Sequence, residues 1–335
     1  MASGYALMTA NSFAGFAVET TYGASVAPTT YTPVMDPKVN PGIKWLKDSA
    51  FRGSPVLDYD EVQGVFQADY SFKTYCYTDT IPGLIRATLG SPDTVASVGS
   101  TTGTGGTFSA YSHVIGLNNS PNTGSQAPSY TIVNDSVDNT YVLTAGRMDT
   151  LSFSFQADAA VEVTANFKTN LPNIYGASIT NNPTESTQHL IPAWNCAASI
   201  GGAAVSVVEQ WNLDIKRSTT QIYTLGSQSS VQNFQGPCEA SGKATFLVNL
   251  GQTYWSNALV RDQQQVILNL IDPFTGYGIL FQGTTVQLMN PVISQSKNWI
   301  ELELDFDYVA NTTDTVTLGY SPIKVIATNG QATQY

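Results

Sequence analysis

Two stretches of this 335-residue chain read as divergent copies of one unit, and both carry the alternating pattern of β-strands. Gln63, Gly64 and Ala68 recur as Gln235, Gly236 and Ala240, each time leading into a strand-like run. Further on, Val114-Ile115 recurs as Val266-Ile267, and Tyr130-Thr-Ile132-Val133 as Tyr277-Gly-Ile279-Leu280. Val161-Glu162-Val163-Thr-Ala-Asn-Phe167 recurs as Ile300-Glu301-Leu302-Glu-Leu-Asp-Phe306. The matches keep their order, while the offset falls from 172 (63 to 235) through 152 (114 to 266) and 147 (130 to 277) to 139 (161 to 300). Each step coincides with Gly-, Ser-, Asn- or Thr-rich sequence in the first copy, where loop insertions belong. A chain carrying one unit twice can fill two adjacent positions of a ring, so the first expectation is assembly rather than catalysis.

The length suffices for two packed domains, each with a core. The expected division is an N-terminal arm over 1–30, a first domain over 31–172, a linker over 173–194, a second domain over 195–311 and a C-terminal arm over 312–335. Only 12% of residues are charged, about half the usual share, whereas Thr, Ser, Asn, Gly and Tyr are plentiful. That is the composition of a β-rich protein that associates with itself. The net charge of −11 argues against embracing nucleic acid, since phosphate contacts require Lys and Arg to displace counterions. No apolar run reaches the roughly 18 residues of a membrane span, and Met1-Ala-Ser-Gly-Tyr5 lacks the basic region of a signal peptide. Of the odd number of cysteines, Cys76 and Cys238 sit within apolar alternation and read as small buried hydrophobes. Cys196 completes the set without forming a C-x-x-C pair, and a reducing cytoplasm during synthesis fits all three.

Along the first copy, Tyr70, Phe72 and Cys76 alternate with Asp69, Ser71 and Lys73, which predicts a strand with one buried and one wet face. A strand is also expected over Gly15 to Thr20. Thr80 to Leu89 predicts a short helix with Thr80 as cap, Pro82 in the first turn and Leu84, Ile85, Thr88 and Leu89 as its apolar stripe. The second copy repeats the layout with a strand over Glu239 to Asn249 and a helix over Thr253 to Val260. Residues 91–129 contain Gly99-Ser-Thr-Thr-Gly-Thr-Gly-Gly106 and Asn118-Asn-Ser-Pro-Asn-Thr-Gly-Ser-Gln126, which read as loops. The terminal apolar strand Ile323-Lys-Val-Ile-Ala327 either closes its own domain or adds to a neighbour's sheet.

Catalytic patterns are scarce. His113 and His189 lie outside any H-E-x-x-H and read as surface or structural residues. Gly236-Pro-Cys-Glu-Ala-Ser-Gly242-Lys243-Ala244 has the wrong spacing for a phosphate loop and also reads as a strand. Asp58-Tyr-Asp60-Glu61 lacks the remaining oxygens and the glycine of a calcium loop. The G-x-S-x-G elbow is missing, and Gly103-Thr-Gly-Gly106 neither follows a strand nor opens a helix. No catalytic residue, cofactor or metal is therefore expected.

The segment with most physical content is Trp299-Ile-Glu301-Leu-Glu303-Leu-Asp305-Phe-Asp307-Tyr308. Alternation sends Ile300, Leu302, Leu304, Phe306 and Tyr308 one way and four carboxylates the other. Either Lys and Arg on neighbouring strands compensate these charges on a solvated face, or the strand faces a water-filled channel whose acidic wall keeps a polyanion from sticking.

Gly15-Phe-Ala-Val-Glu19-Thr-Thr-Tyr22-Gly23-Ala-Ser-Val-Ala27-Pro28-Thr29 resembles the opening of many major tail proteins, the tube-forming subunits of long non-contractile-tailed bacteriophages (siphophages). Gly42-Ile-Lys-Trp-Leu-Lys47, Arg52-Gly-Ser-Pro55 and Gly319-Tyr-Ser-Pro-Ile-Lys324 add to the resemblance, which covers most of the chain. It implies a mainly β fold, a sandwich or half-barrel of antiparallel sheets with a short flanking helix, here as two tandem tube-like domains. Copies of such a fold join sheet to sheet in a ring, and rings stack into a tube. With the unit duplicated, the expected ring is a trimer with pseudo-six-fold symmetry. Glu301, Glu303, Asp305, Asp307 and, less directly, Glu162 are the expected lumen-facing acids. The implied partners are the chain itself, a tape-measure protein that sets tail length, a tail terminator and tail-tip proteins, with DNA passing through without specific binding and no membrane. The implied location is the virion tail, after synthesis in the bacterial cytoplasm. The arms and the 91–129 segment are expected to make ring-to-ring contacts. The competing readings are a secreted or surface module binding carbohydrate through Trp194, Trp211, Trp255 and Trp299, and a different virion part such as a baseplate or decoration protein.

Overall fold

The structure is a computed structural model that describes residues 12–28, 30–136, 139–175, 186, 188–248, 254–260, 262–295, 297–316 and 318–335. In the first copy the strands are β1 (Phe13–Val18), β2 (Thr30–Thr32), β3 (Met35–Asn40), β4 (Ile43–Asp48), β5 (Asp60–Phe66) and β6 (Ala68–Tyr75). Helix α1 (Ile81–Leu89) follows, then β7 (Thr94–Gly103), β8 (Gly106–Ile115), β9 (Tyr130–Asp135), β10 (Thr140–Gln156), β11 (Glu162–Thr169) and β12 (Asn173–Tyr175). The second copy runs through β13 (Cys196–Ile200), β14 (Ala203–Val205), β15 (Val208–Lys216), β16 (Thr220–Ile222), β17 (Gln232–Phe234) and β18 (Glu239–Leu247). It ends with α2 (Tyr254–Leu259), β19 (Gln263–Ile271), β20 (Gly278–Ser294), β21 (Glu301–Tyr308) and β22 (Lys324–Asn329). The fold is mainly β and its sheets are antiparallel, as expected.

The pairing scheme of the first copy returns in the second. β1 pairs with β2 and β9, as β13 pairs with β14 and β19. β3 pairs with β6, then come the hairpin β4–β5 and the ladder β6–β11–β10–β9; the second copy has β15 with β18, the hairpin β16–β17 and β18–β21–β20–β19. β12 pairs with the start of β10, as β22 does with the start of β20. The rung Glu162–Tyr75 matches the rung Glu301–Leu247, which preserves the offsets of 139 and 172 read from the sequence.

Two of the four sequence matches are corrected by the ladders. Rungs Leu143–Ile132 and Gly146–Tyr130 flank a bulge, and Gly283–Val266 and Val286–Gln264 flank its counterpart, so Val266 corresponds to Ile132. Val114-Ile115 lies in β8, part of a hairpin without an equivalent in the second copy, and Tyr277 precedes β20 while Tyr130 opens β9. A two-residue period matches any strand to any other of the same parity, and only the ladder fixes which strands correspond.

Alternation creates the core. In β6, Ala68, Tyr70, Phe72 and Thr74 are buried while Asp69, Ser71, Lys73 and Tyr75 face outward. Phe72 stacks on Phe167 of β11 and leans on Phe16 of β1, while Trp211 stacks on Phe306 of β21 at 4.5 Å. The core continues between the copies, where Phe153 of β10 meets Phe281 of β20 edge-on at 4.8 Å. In α1 the stripe Leu84, Ile85, Thr88 and Leu89 is buried and Gly90 ends the helix in the left-handed region at φ 84°, its N–H on the Arg86 carbonyl. A Cβ at Gly90 would also lie 2.7 Å from the Ala127 backbone. Thr80 precedes α1 with helical torsions, not the extended ones that aim a capping hydroxyl, and makes no side-chain cap bond.

Other expectations also change. The 94–115 part of the expected loop is the long hairpin β7–β8, whose tip docks on a turn of the second copy through Thr104 N–H to Pro273 O and Gly105 N–H to Phe274 O. The part of the N-terminal arm from Phe13 to Val18 is a buried strand inside the first copy's sheet, beginning two residues before the predicted Gly15. Residues 1–11 and 29 of that arm, 176–185 and 187 of the linker, and Thr253 of the second helix lie outside the described residues. Of the two destinations open to the last strand, β22 takes its own chain, between β20 and β8.

Candidate assembly and lumen surface

One continuous sheet crosses from copy to copy in the order β3-β6-β11-β10-β15-β18-β21-β20. Its central rung set is β10 with β15, from Thr150–Lys216 to Gln156–Gln210, so the first strand of the second copy's sheet continues the last strand of the first copy's. The contact is head-to-tail: an edge of one unit meets a different edge of the next.

Polar side chains from the hairpin β16–β17 and its flanks lock this junction. Arg217, nearly buried, donates from Nε to Gly236 O (2.9 Å), from Nη1 to Thr88 O (3.1 Å) and from Nη2 to Ser125 O (3.1 Å). Thr88 O lies in the last turn of α1, where the helix dipole favours a cation. Burial pushes the Arg217 pKa down, and its three carbonyl partners meet the desolvated charge. Gln235 donates to Ala87 O and Met148 O and accepts from the Ala127 N–H, while Asn233 donates to Ala145 O and Lys168 O. Gln235 was visible in the sequence only as a repeat marker.

The face of this sheet away from the core is polar from β6 to β21, with Met35 on β3 and Met289 and Val292 on β20 at its margins. One row reads Tyr75, Glu162, Ser154, Asn212, Lys243, Asp305, Met289; the next reads Lys73, Thr164, Ser152, Asp214, Ser241, Asp307, Gln287. Acids and lysines balance on β6 and β11, where Asp69 pairs with Lys168 at 2.7 Å and Glu162 and Lys73 lie on the same face. On β15, β18 and β21 the acids prevail, with Asp214, Glu239, Glu301, Glu303, Asp305 and Asp307 against Lys216 and Lys243.

The five predicted acids therefore share a face but not an environment. Asp307 is exposed, and Asp305 accepts from Asn290 Nδ2 at 2.9 Å. Glu303 pairs with Lys243 at 2.6 Å across the strands. Glu301, nearly buried, pairs with Lys297 at 2.7 Å and accepts from Trp299 Nε1 at 2.8 Å. The Lys297 ammonium, chiefly, holds the Glu301 carboxyl below its ordinary range; desolvation opposes it and the Trp299 N–H assists. Lysine compensation is thus real for Glu301 and Glu303. Glu162 is four strands from β21, about 19 Å at ordinary strand spacing.

The histidines and cysteines lie apart from this face. His113 is buried, with Nδ1 3.0 Å from Asp93 Oδ2 and Nε2 2.9 Å from Gln331 O, and its ring meets Tyr335 edge-on. His189 packs on Phe274. The cysteines are free, and burial pushes Cys196 up to about 12 and Cys238 up to about 11, so they are poor nucleophiles. Among the tryptophans of the carbohydrate reading, Trp211 is core, while Trp194, Trp255 and Trp299 are exposed on separate elements. Among the described residues no cluster of His, Cys, Asp or Glu is placed to hold a metal, and no helix is long and apolar enough to cross a membrane.

The architecture is that of a mainly β protein in which one antiparallel unit adds head-to-tail to a second of like pairing and presents a wet face. Residues 9–322 match the family model described as phage tail tube protein, and the chain belongs to that family. No curated protein matches the chain. The family makes it a structural component of a virion tail that assembles with itself and contacts other tail components.

Proposed function

We infer that the chain is the major tail tube subunit of a siphophage, polymerising as stacked rings of three chains with pseudo-six-fold symmetry around a hollow lumen. The observation that carries this reading is the β10–β15 junction, at which two equivalent units already occupy neighbouring positions of a continuous sheet. The polar face of that sheet lines the lumen. Its small Ser, Thr, Asn and Gln side chains separate the lysines, of which Lys168 and Lys243 are paired with acids, and the acids of β15, β18 and β21 repel phosphate. Three chains of −11 bring −33 to each ring. The subunit is made in the bacterial cytoplasm, its length of polymer is set by a tape-measure protein, and terminator and tail-tip proteins meet its ends. The division into an arm, two tube-like domains, a linker and a second arm belongs to the same proposal.

Negative-stain electron microscopy of the concentrated full-length protein, with and without tail-tip proteins, tests this. Hollow tubes are expected, and uniform monomers in both conditions would overturn it. The triple substitution Glu303→Lys, Asp305→Lys, Asp307→Lys keeps the tubes but slows DNA release from virions carrying it; unchanged release would contradict the acidic lumen.

A further inference from the structure

The eight-stranded sheet ends in two edges without a partner among the described residues, β3 and the end of β20, and they are the counterparts of the two that meet inside it. β10 offers its 150–156 segment to β15; its equivalent in the second copy is the end of β20, where Val292 and Ile293 pair on one side with Glu303 and Leu302 of β21. β15 corresponds to β3 through their shared partners: Asn212, Leu213 and Asp214 face Lys243, Gly242 and Ser241 of β18 as Lys38, Val39 and Asn40 face Ser71, Tyr70 and Asp69 of β6. Burial shows the difference that a neighbour makes. Phe153 and Leu213, paired at the internal junction, are 1% and 0% exposed, whereas Ile293, the counterpart of Phe153, is 47% exposed.

The hairpins and helices repeat the placement of the sheet edges. Arg217 and Gln235, which flank the second copy's hairpin β16–β17, bond to the end of α1 in the first copy, and the hairpin itself keeps Ile222, Val231 and Phe234 exposed. The first copy's hairpin β4–β5 leaves Trp45, Leu46 and Val62 more than half exposed, and Leu259 at the end of α2 and Val260 just beyond it are more exposed still. The counterpart contact at the internal junction is made by hydrogen bonds from Arg217 and Gln235, the flanks of β16–β17, to the last turn of α1.

We propose that the internal junction is the template for the chain-to-chain junction: β3 of one chain adds to the end of β20 of the next, in the register Val292 opposite Asn40 and Ile293 opposite Val39, while the hairpin β4–β5 docks on α2 of that chain. The inference rests on the tube reading and specifies its contact. The occupant is a second copy of this chain, because the internal junction supplies both shapes. The ladder β22–β8 adds to the internal junction, and β8 has no counterpart in the second copy, so the chain-to-chain junction is the smaller of the two.

The test mixes full-length Asn40→Cys protein with full-length Val292→Cys protein under oxidation, with Lys38→Cys and Val292→Cys as the pair two residues out of register. A disulfide-linked dimer from the first mixture alone is expected, as is a covalent three-chain species from the double variant. Tubes that form without that link, or that link through Lys38→Cys instead, overturn the junction and leave the tube reading standing. A link without tubes upholds the junction and removes the tube reading; neither link nor tubes removes both. Trp45→Glu, on a side chain 53% exposed in the single chain, should leave the melting curve unchanged and abolish assembly. Assembly that persists in this variant overturns the hairpin docking.

Discussion

Arg217 holds a full positive charge almost out of solvent, and its three bonded carbonyls come from residues 19, 92 and 129 positions away. Arg217→Met leaves those oxygens without their donor and is expected to cost about 3 kcal/mol, read from urea unfolding of the full chain. Arg217→Lys should recover little of it, because an ammonium cannot span three diverging acceptors as a guanidinium does. Glu301 gives the opposite kind of test. Its folded pKa lies below the ordinary 4.5, so its contribution to stability is complete above that value and is lost as pH falls through the folded pKa. The difference in melting temperature between the parent and Glu301→Gln should therefore be largest near pH 7 and shrink toward pH 3; a difference independent of pH would contradict the Lys297 pairing. The acidic alternation of 301–307 was legible because the period itself separates carboxylates from core residues. Arg217 was not, since Lys-Arg-Ser-Thr looks like any solvated turn and its partners are remote in the chain.

The hairpin β7–β8 shows how an element can be invisible to hydrophobic pattern. Half of its residues are exposed, and it is held by its own ladder, by β22 and by a tip docked on the 272–276 turn. Its Gly- and Thr-rich sequence carries no core signal and reads as loop, although Gly103 and Gly105 allow the tip's close approach to Phe274. A Cβ at Gly103 would come within 2.2 Å of the Phe274 carbonyl oxygen. Gly103→Ala is expected to cost about 1–3 kcal/mol and to raise hydrogen exchange across residues 94–115 while leaving β6 and β11 protected. Equal exchange in both proteins would show that the tip is not an anchor. By contrast β6 was legible to the residue, because a strand between a packed core and a wet face must alternate.

At the scale of the whole molecule, two copies of one unit share a continuous sheet and a core joined through Phe153 and Phe281. Duplication was legible because offsets survive in the strands that pair most extensively. The middle correspondences were not, since period-two patterns match at every even shift. The head-to-tail sense of the internal junction leaves one edge of each kind unfilled, and that arrangement continues until a ring closes or a filament forms. Closure also removes the open strand edges through which such a protein would otherwise aggregate. Axial class averages of purified tubes by electron cryomicroscopy test this most directly. The account predicts a closed ring of six similar β units in three alternating pairs, one chain to each pair. Six chains per ring, or an open helical path without closure, would contradict it.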